Sequence, residues 1–278
     1  MATLAARPRT VQAEINYLGP MDTMPYFYAK DHDRDHLLLE PHRVEIADAR
    51  QAEPPPCLDR EGFTLVPHRS AITDFTDSAA VDAVYPGEIE ALLKRVTGAD
   101  HVVARGTVLR FVEQDQRDRF VNSLPAGFVH VDTSRESFAA FAAMQLGDHP
   151  DREALLAGRY VGFNVWRVLT PPPQDLPLAV CAASSVTEAD RVTGEARVDG
   201  VGIDEFRFGS SLFRASPRHR WFYYRDMSPD EALIFKQFDT ADPDLVGVPH
   251  VAFADPSAPE DALPRASAEI RAYAYWRG

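Results

Sequence analysis

The chain has 278 residues and a formal net charge of −13, from 42 acidic and 29 basic side chains. A hydrophobic share of 45% with 26% charged residues excludes a globally disordered chain, and the acidic balance excludes a nucleic-acid scaffold, which needs clustered positive charge. No run approaches the roughly 18 consecutive apolar residues of a membrane span.

Two cysteines, Cys57 and Cys181, are too few and too far apart for a disulfide scaffold or a thiolate-rich zinc site. The opening residues lack the apolar stretch of a secretory signal, so a reduced, cytoplasmic protein is expected. Nine histidines among 42 carboxylates are the main chemical resource, and they direct the search to a metal site built from nitrogen and oxygen.

In chain order, Thr10 to Tyr17 alternates with period two, placing Val11, Ala13 and Ile15 on one face of a half-buried strand. Residues 20–42 are polar, aromatic and interrupted by proline, as in an arm or loop. A second short strand is expected at Val44 to Ala47. The run from Gln51 to Cys57, with three prolines, reads as an extended connector. After a strand at Gly62 to Val66, the period changes to helical between Ala80 and Thr97, with Val81, Val84, Ile89, Leu92, Leu93 and Val96 facing inward.

From residue 100 onward strands dominate. They are expected at Val102–Val112, Gly127–Asp132, Tyr160–Leu169, Leu178–Ala182, Phe206–Leu212, Arg220–Tyr224, Ala232–Phe238, Pro249–Phe253 and Ser267–Trp276, with one helix at Ser137–Gln145. Proline and aspartate clusters separate them. Many short strands at such spacing predict a mainly β sandwich or barrel with flanking helices. Residues 1–60 are expected to form an N-terminal arm packed on a core domain spanning 61–278.

The sharpest local pattern is His130-Val131-Asp132. Residues i and i+2 of a strand share a face, so an imidazole and a carboxylate there can chelate one metal. A distant histidine would complete a two-histidine, one-carboxylate triad with open positions on Fe(II). His250, in the strand-like run Pro249 to Phe253, is the candidate. A similar pair, His149 and Asp151, flanks a proline and reads as a helix-end loop. Beyond His250 come Arg265 and Ser267 on one strand face, suited to a bidentate grip on the distal carboxylate of 2-oxoglutarate with an added hydroxyl bond. Arg271 shares that face and is the rival for the same role.

Arg110 and Arg167 sit in apolar strands, where an unpaired charge is costly. They either bind a substrate carboxylate or pair with core acids, and Asn164 and Trp166 are equally open. The segment Asp31 to His36 places His32 and His36 at i, i+4 spacing, yet such charge runs are usually solvated, and an arm covering the site mouth is the better reading.

Longer stretches carry a resemblance. Asn164-Val-Trp-Arg167, Leu178 to Ser185, Trp221 to Glu231, Phe235 to Asp239, and Pro249-His250 with Pro264-Arg265 resemble the CmcJ/AsaB-like hydroxylase/desaturase family. That family lies within the Fe(II)/2-oxoglutarate-dependent oxygenases and includes a cephem 7-alpha-methoxylation component and a gibberellin desaturase. The resemblance runs from about Gly62 to the C-terminus; Val168 and Ala182 depart from it, where proline and an acidic residue are usual. It implies a double-stranded β-helix (jelly-roll, cupin-like) core with His130, Asp132 and His250 on iron. It also implies Fe(II), 2-oxoglutarate and O2 as cofactors, a ferryl species as oxidant, and a small natural-product intermediate as substrate, in antibiotic or other secondary metabolism. The protein is expected as a monomer or homodimer. The alternative is an oxygenase-like partner subunit of a methyltransferase.

Overall fold

A computed structural model describes residues 9–111, 125–200 and 203–277. Its strands are β1 (Thr10–Leu18), β2 (Tyr26–Tyr28), β3 (Leu39–Asp48), β4 (Phe63–Pro67), β5 (His101–Phe111), β6 (His130–Val131) and β7 (Tyr160–Val168). They continue with β8 (Leu178–Cys181), β9 (Arg191–Gly200), β10 (Ile203–Phe213), β11 (Trp221–Tyr223), β12 (Glu231–Asp239), β13 (His250–Ala252) and β14 (Ala266–Tyr275). The helices are α1 (Ser78–Thr97), α2 (Arg135–Leu146) and α3 (Arg152–Ala157). None among the described residues is long and apolar enough to cross a membrane.

Two sheets form the body. The larger has nine strands in the order β1-β3-β11-β8-β13-β6-β10-β9-β2, and the smaller has five in the order β4-β12-β7-β14-β5. Most pairs are antiparallel, the exceptions being β11 with β3 and β2 with β9. Non-sequential neighbours in both sheets are the mark of a jelly roll, and the expected mainly β core is present.

Alternation along β14 and β7 decides what enters the site. On β14, Ile270, Ala272 and Ala274 pack outward with Val161, Phe163 and Val165 of β7 under α1. The opposite parity of β14, from Ser267 through Glu269 and Arg271 to Tyr273, faces the larger sheet. Helix α1 covers the outer face with Val81, Tyr85, Ile89, Leu92 and Leu93, and each fully buried aliphatic side chain there is worth about 1.5–3 kcal/mol. Asp77 caps its start by accepting from the Ala80 N–H at 3.0 Å, and Gly98 ends it in the left-handed region, where a side chain is costly.

Several expectations need correction. Val84 is 38% exposed, because it lies off the stripe that Val81, Tyr85 and Ile89 define; Tyr85 is buried in its place. Residues 20–42 are not a plain loop: β2 joins the edge of the larger sheet, and β3 begins at Leu39. In the expected strand Gly127–Asp132 only His130 and Val131 enter the ladder, with an isolated bridge from Phe128 to Asn16. The polar strand β9 and the short helix α3 were not expected. Val112, expected at the end of β5, lies outside the described residues.

Candidate metal centre and active site

His130 and His250 are directly opposed on β6 and β13, with ring centroids 4.3 Å apart. Each ring is fixed from behind. His130 Nδ1 bonds the Phe128 carbonyl at 3.0 Å, and His250 Nδ1 bonds the Val248 carbonyl at 3.2 Å. A carbonyl oxygen only accepts, so both Nδ1 atoms carry the proton and both Nε2 atoms present lone pairs. His250 Nε2 is buried without a partner. Burial, and next the neighbouring His130, push the His250 imidazole down to about 3, which keeps it neutral.

Asp132 follows on the same face, with Oδ1 3.6 Å from His130 Nε2. One ligand-type atom from each of His130, Asp132 and His250 lies within 4.8 Å of the others, the one such buried group among the described residues. Burial works to raise the Asp132 carboxyl, but Arg271 and the two histidines outweigh it and hold it well below the usual carboxylate range. Asn164 Nδ2 donates to Asp132 Oδ2 at 2.5 Å, and Arg271 Nε donates to the same oxygen at 3.2 Å. An orphaned imidazole nitrogen beside a second lone pair and a carboxylate oxygen is a donor set that fits a divalent first-row metal.

Arg265 is 2% exposed. One Nη donates to the Leu176 carbonyl at 2.7 Å, while its Nε has no partner. Burial, and next the nearby Arg110, lower its guanidinium to about 10. Ser267 Oγ, two residues along the same face, is also buried without a partner. Arg265 lines a narrow cleft together with His130, His250, Trp166 and Glu269. Unsatisfied buried donors next to the histidine pair form a place for an anion.

That cleft adjoins a much larger cavity of about 320 Å³, which also reaches His130 and Asp132. Arg110 borders both spaces, with an Nη 3.6 Å from a Glu269 oxygen. The N-terminal segment enters here as well: Phe27, Lys30 and His32 line the cavity.

The residues singled out from sequence therefore separate. His130, Asp132, His250, Arg265, Ser267, Arg271 and Arg110 come together. Asn164 does too, but it faces Asp132 rather than the open cavity. Arg167 does not join them. It lies on the other parity of β7, where Nε donates to the Tyr85 hydroxyl at 3.0 Å and Nη groups bond Pro229 and His68 under α1. His32 and His36 do not converge either, since His32 Nδ1 bonds Asp35 at 2.8 Å and His36 Nε2 bonds Thr23 at 2.7 Å. His149 stands in the loop between α2 and α3, its ring 4.4 Å from His101.

Sequence reasoning missed Glu269, Phe235 and, in the N-terminal segment, Phe27 and Lys30; His32 falls in the stretch read as an arm over the site mouth. Glu269 was within reach, because it falls between Ser267 and Arg271 on a face already recognised. Phe235, whose ring lies 4.8 Å from His250, and Phe27 carry no local signal of their position.

A family model described as Oxidoreductase/YMDC permease-like domain matches residues 15–275. The hydroxylase/desaturase CTB9 of Cercospora beticola is 33% identical over 256 residues, covering 85% of this chain and 77% of that protein. The Fe(II)/2-oxoglutarate-dependent dioxygenase nvfI of Aspergillus novofumigatus is 32% identical over 239 residues, covering 83% and 82%. A solved structure of the iron and alpha-ketoglutarate-dependent endoperoxidase NvfI superposes with a TM-score of 0.83 at 26% identity, covering 99% of this chain and 100% of that one. Nothing in these relatives supports a role as a methyltransferase partner subunit. The chain belongs to this oxidoreductase family, the hydroxylase/desaturase group of Fe(II)/2-oxoglutarate-dependent oxygenases.

Proposed function

We propose that the protein oxidises a C–H bond of a small natural-product intermediate, with Fe(II) held by His130, Asp132 and His250. The observation that carries this reading is the paired orientation of the two imidazoles. Both Nδ1 protons are committed to backbone carbonyls, so two Nε2 lone pairs and a carboxylate oxygen converge in a buried space. When bound, Fe(II) with 2-oxoglutarate and O2 supplies the oxidising power to cleave an unactivated C–H bond, while 2-oxoglutarate is converted to succinate and CO2.

The chain's own groups supply binding and orientation. Arg265 grips the distal carboxylate of 2-oxoglutarate, using donors that are otherwise unsatisfied, and Ser267 adds a hydroxyl. Trp166, whose ring centroid is 5.8 Å from the Arg265 guanidinium carbon, walls that cleft and limits the cosubstrate's movement. Asn164 and Arg271 hold Asp132 in one orientation. The larger cavity receives the substrate and keeps water from the reacting centre.

Purified protein given Fe(II), ascorbate and 2-oxoglutarate is expected to release succinate above a His130→Ala control, and to release more when a natural-product panel contains the substrate. Succinate at the control level across such a panel would overturn the reading.

A further inference from the structure

The large cavity has a charge that opposes that of the chain. Acidic side chains outnumber basic ones in the sequence, 42 to 29, yet the cavity is lined by Lys30, Arg105, Arg110 and Arg271 against one carboxylate, Asp132. Two of these cations are engaged. Arg271 spans Asp132, and Arg110 faces Glu269 at 3.6 Å. The side chains of Lys30 and Arg105 make no hydrogen bond or ion pair among the described residues.

The position of Arg105 is built into the strand. β5 and β14 pair Arg105 with Arg271 and Val108 with Glu269, so β5 spends three residues where β14 spends two. The extra residue is a bulge, made possible by Gly106 at φ +71. It resets the alternation so that Arg105, Val108 and Arg110 all border the cavity. Without the bulge, strict alternation would leave Val108 and Arg110 on one face and turn Arg105 to the other.

Another part of the lining is hydrocarbon. Phe141, Phe206 and Phe208 form a ring cluster, with centroids 5.3 Å apart for Phe141 and Phe208 and 5.6 Å for Phe206 and Phe208. Phe206 is 49% exposed and Met144, beside it on the cavity wall, is 61% exposed. Large apolar side chains left in water at the edge of a concave site are ready to be covered by an apolar ligand.

Resting on the oxygenase reading above, we propose that the substrate is an apolar, carbon-rich scaffold that carries a carboxylate, and that Arg105 and Lys30 receive that carboxylate. The scaffold lies on the phenylalanine cluster. Its charged end is drawn to a cavity wall on which cations outnumber carboxylates, in a protein that is acidic as a whole. Neutral and cationic analogues of the same scaffold bind more weakly.

The test uses three fluorescent probes with one skeleton: 1-pyrenebutanoate, 1-pyrenebutanol and 1-pyrenebutylammonium, titrated into metal-free protein. The butanoate is expected to bind ~10-fold more tightly than the alcohol and more tightly still than the ammonium, with the gap narrowing at high salt. Arg105→Glu and Lys30→Glu should each weaken the butanoate ~10-fold and leave the alcohol unchanged. Both side chains are at least partly exposed, and an unaltered thermal midpoint verifies that the variants fold. Equal affinity for butanoate and alcohol, or no effect of either variant, overturns the proposal. A repeat with Mn(II) and saturating 2-oxoglutarate separates substrate from cosubstrate. Retained butanoate binding supports the proposal, and competitive displacement overturns it by giving the two cations to 2-oxoglutarate. Because the probes need no turnover, absent succinate formation with intact charge discrimination would sink only the oxygenase reading. Normal turnover without discrimination would sink only this one.

Discussion

The Arg271 guanidinium spans both carboxylate oxygens of Asp132, with Nε 3.2 Å from Oδ2 and an Nη 3.1 Å from Oδ1. Arg265, six residues earlier on the same strand face, is bound only through one Nη to a backbone carbonyl, and its Nε is free of partners. The two arginines therefore differ in their contacts. On the proposed reading, Arg271 orients a carboxylate the protein already has, and Arg265 receives one from outside. Arg265→Lys is expected to raise the KM for 2-oxoglutarate by ~10–100-fold, because a lysine cannot offer the planar two-point grip. Arg271→Lys should leave that KM within ~2-fold while lowering kcat, since Asp132 loses its two-point hold. Steady-state kinetics in 2-oxoglutarate decides, and the reverse pattern would exchange the roles.

Metal binding should be visible without catalysis. The unpartnered Nε2 of His250 is a buried acceptor that gains a partner only when something occupies the triad. Mn(II) added anaerobically or Fe(II) at ~100 times its Kd should stabilise the folded state by about 2.7 kcal/mol, read as a rise in thermal midpoint. His250→Ala and Asp132→Asn should remove the rise. A metal-dependent shift that survives both substitutions would place the ion elsewhere.

The legible and illegible parts of the site differ for a physical reason. His130 and Asp132 are close in sequence on one strand face, and Arg265, Ser267 and Arg271 likewise share a parity on β14, so local spacing was enough. The choice for Arg167 between substrate and core stays open in the sequence because β7 is buried on both faces from Val161 to Val168. Where both faces are apolar, no alternation tells which residues point to the site, so Asn164 and Arg167 looked alike. β9 escaped notice because its charged and glycine-containing sequence has no apolar stripe, although its ladder with β10 is continuous from Val198 to Arg191. Phe27 reaches the cavity through the contact of β2 with β9, between segments nearly 170 residues apart. No window of sequence contains that information.

Arg167 offers a contrasting test. Its Nε donates to the buried hydroxyl of Tyr85 on α1, far from the triad's face of β7. Tyr85→Phe removes the acceptor and strands a charged donor, which should cost about 1–3 kcal/mol in urea unfolding. KM and kcat should stay at wild-type values. A change in substrate KM without loss of stability would return Arg167 to the binding site.

The end of β12 carries a further stability element. Asp239 accepts two bonds from Arg159, at 3.0 and 2.6 Å, one from Lys236 at 3.0 Å and one from the Ala241 N–H at 3.0 Å. This joins β12 to the start of β7, the two strands that present Phe235 and Asn164. Burial tends to raise the Asp239 carboxyl, but the bonds from Arg159 and Lys236 prevail and leave it below its ordinary value. A carboxyl that ionises more readily when folded stabilises the fold fully above its unfolded pKa, and that contribution is lost as pH falls through the folded value. Asp239→Asn should therefore cost about 2–3 kcal/mol near neutral pH, somewhat less than a fully buried pair because Arg159 is partly solvated. The difference between wild type and variant should begin to shrink near the ordinary carboxylate pKa of about 4, where the unfolded carboxyl gains its proton, and vanish once pH falls below the lower folded value. Urea midpoints measured across that range provide the check, and a gap that stays constant with pH would mean that shape, not charge, is what Asp239 contributes.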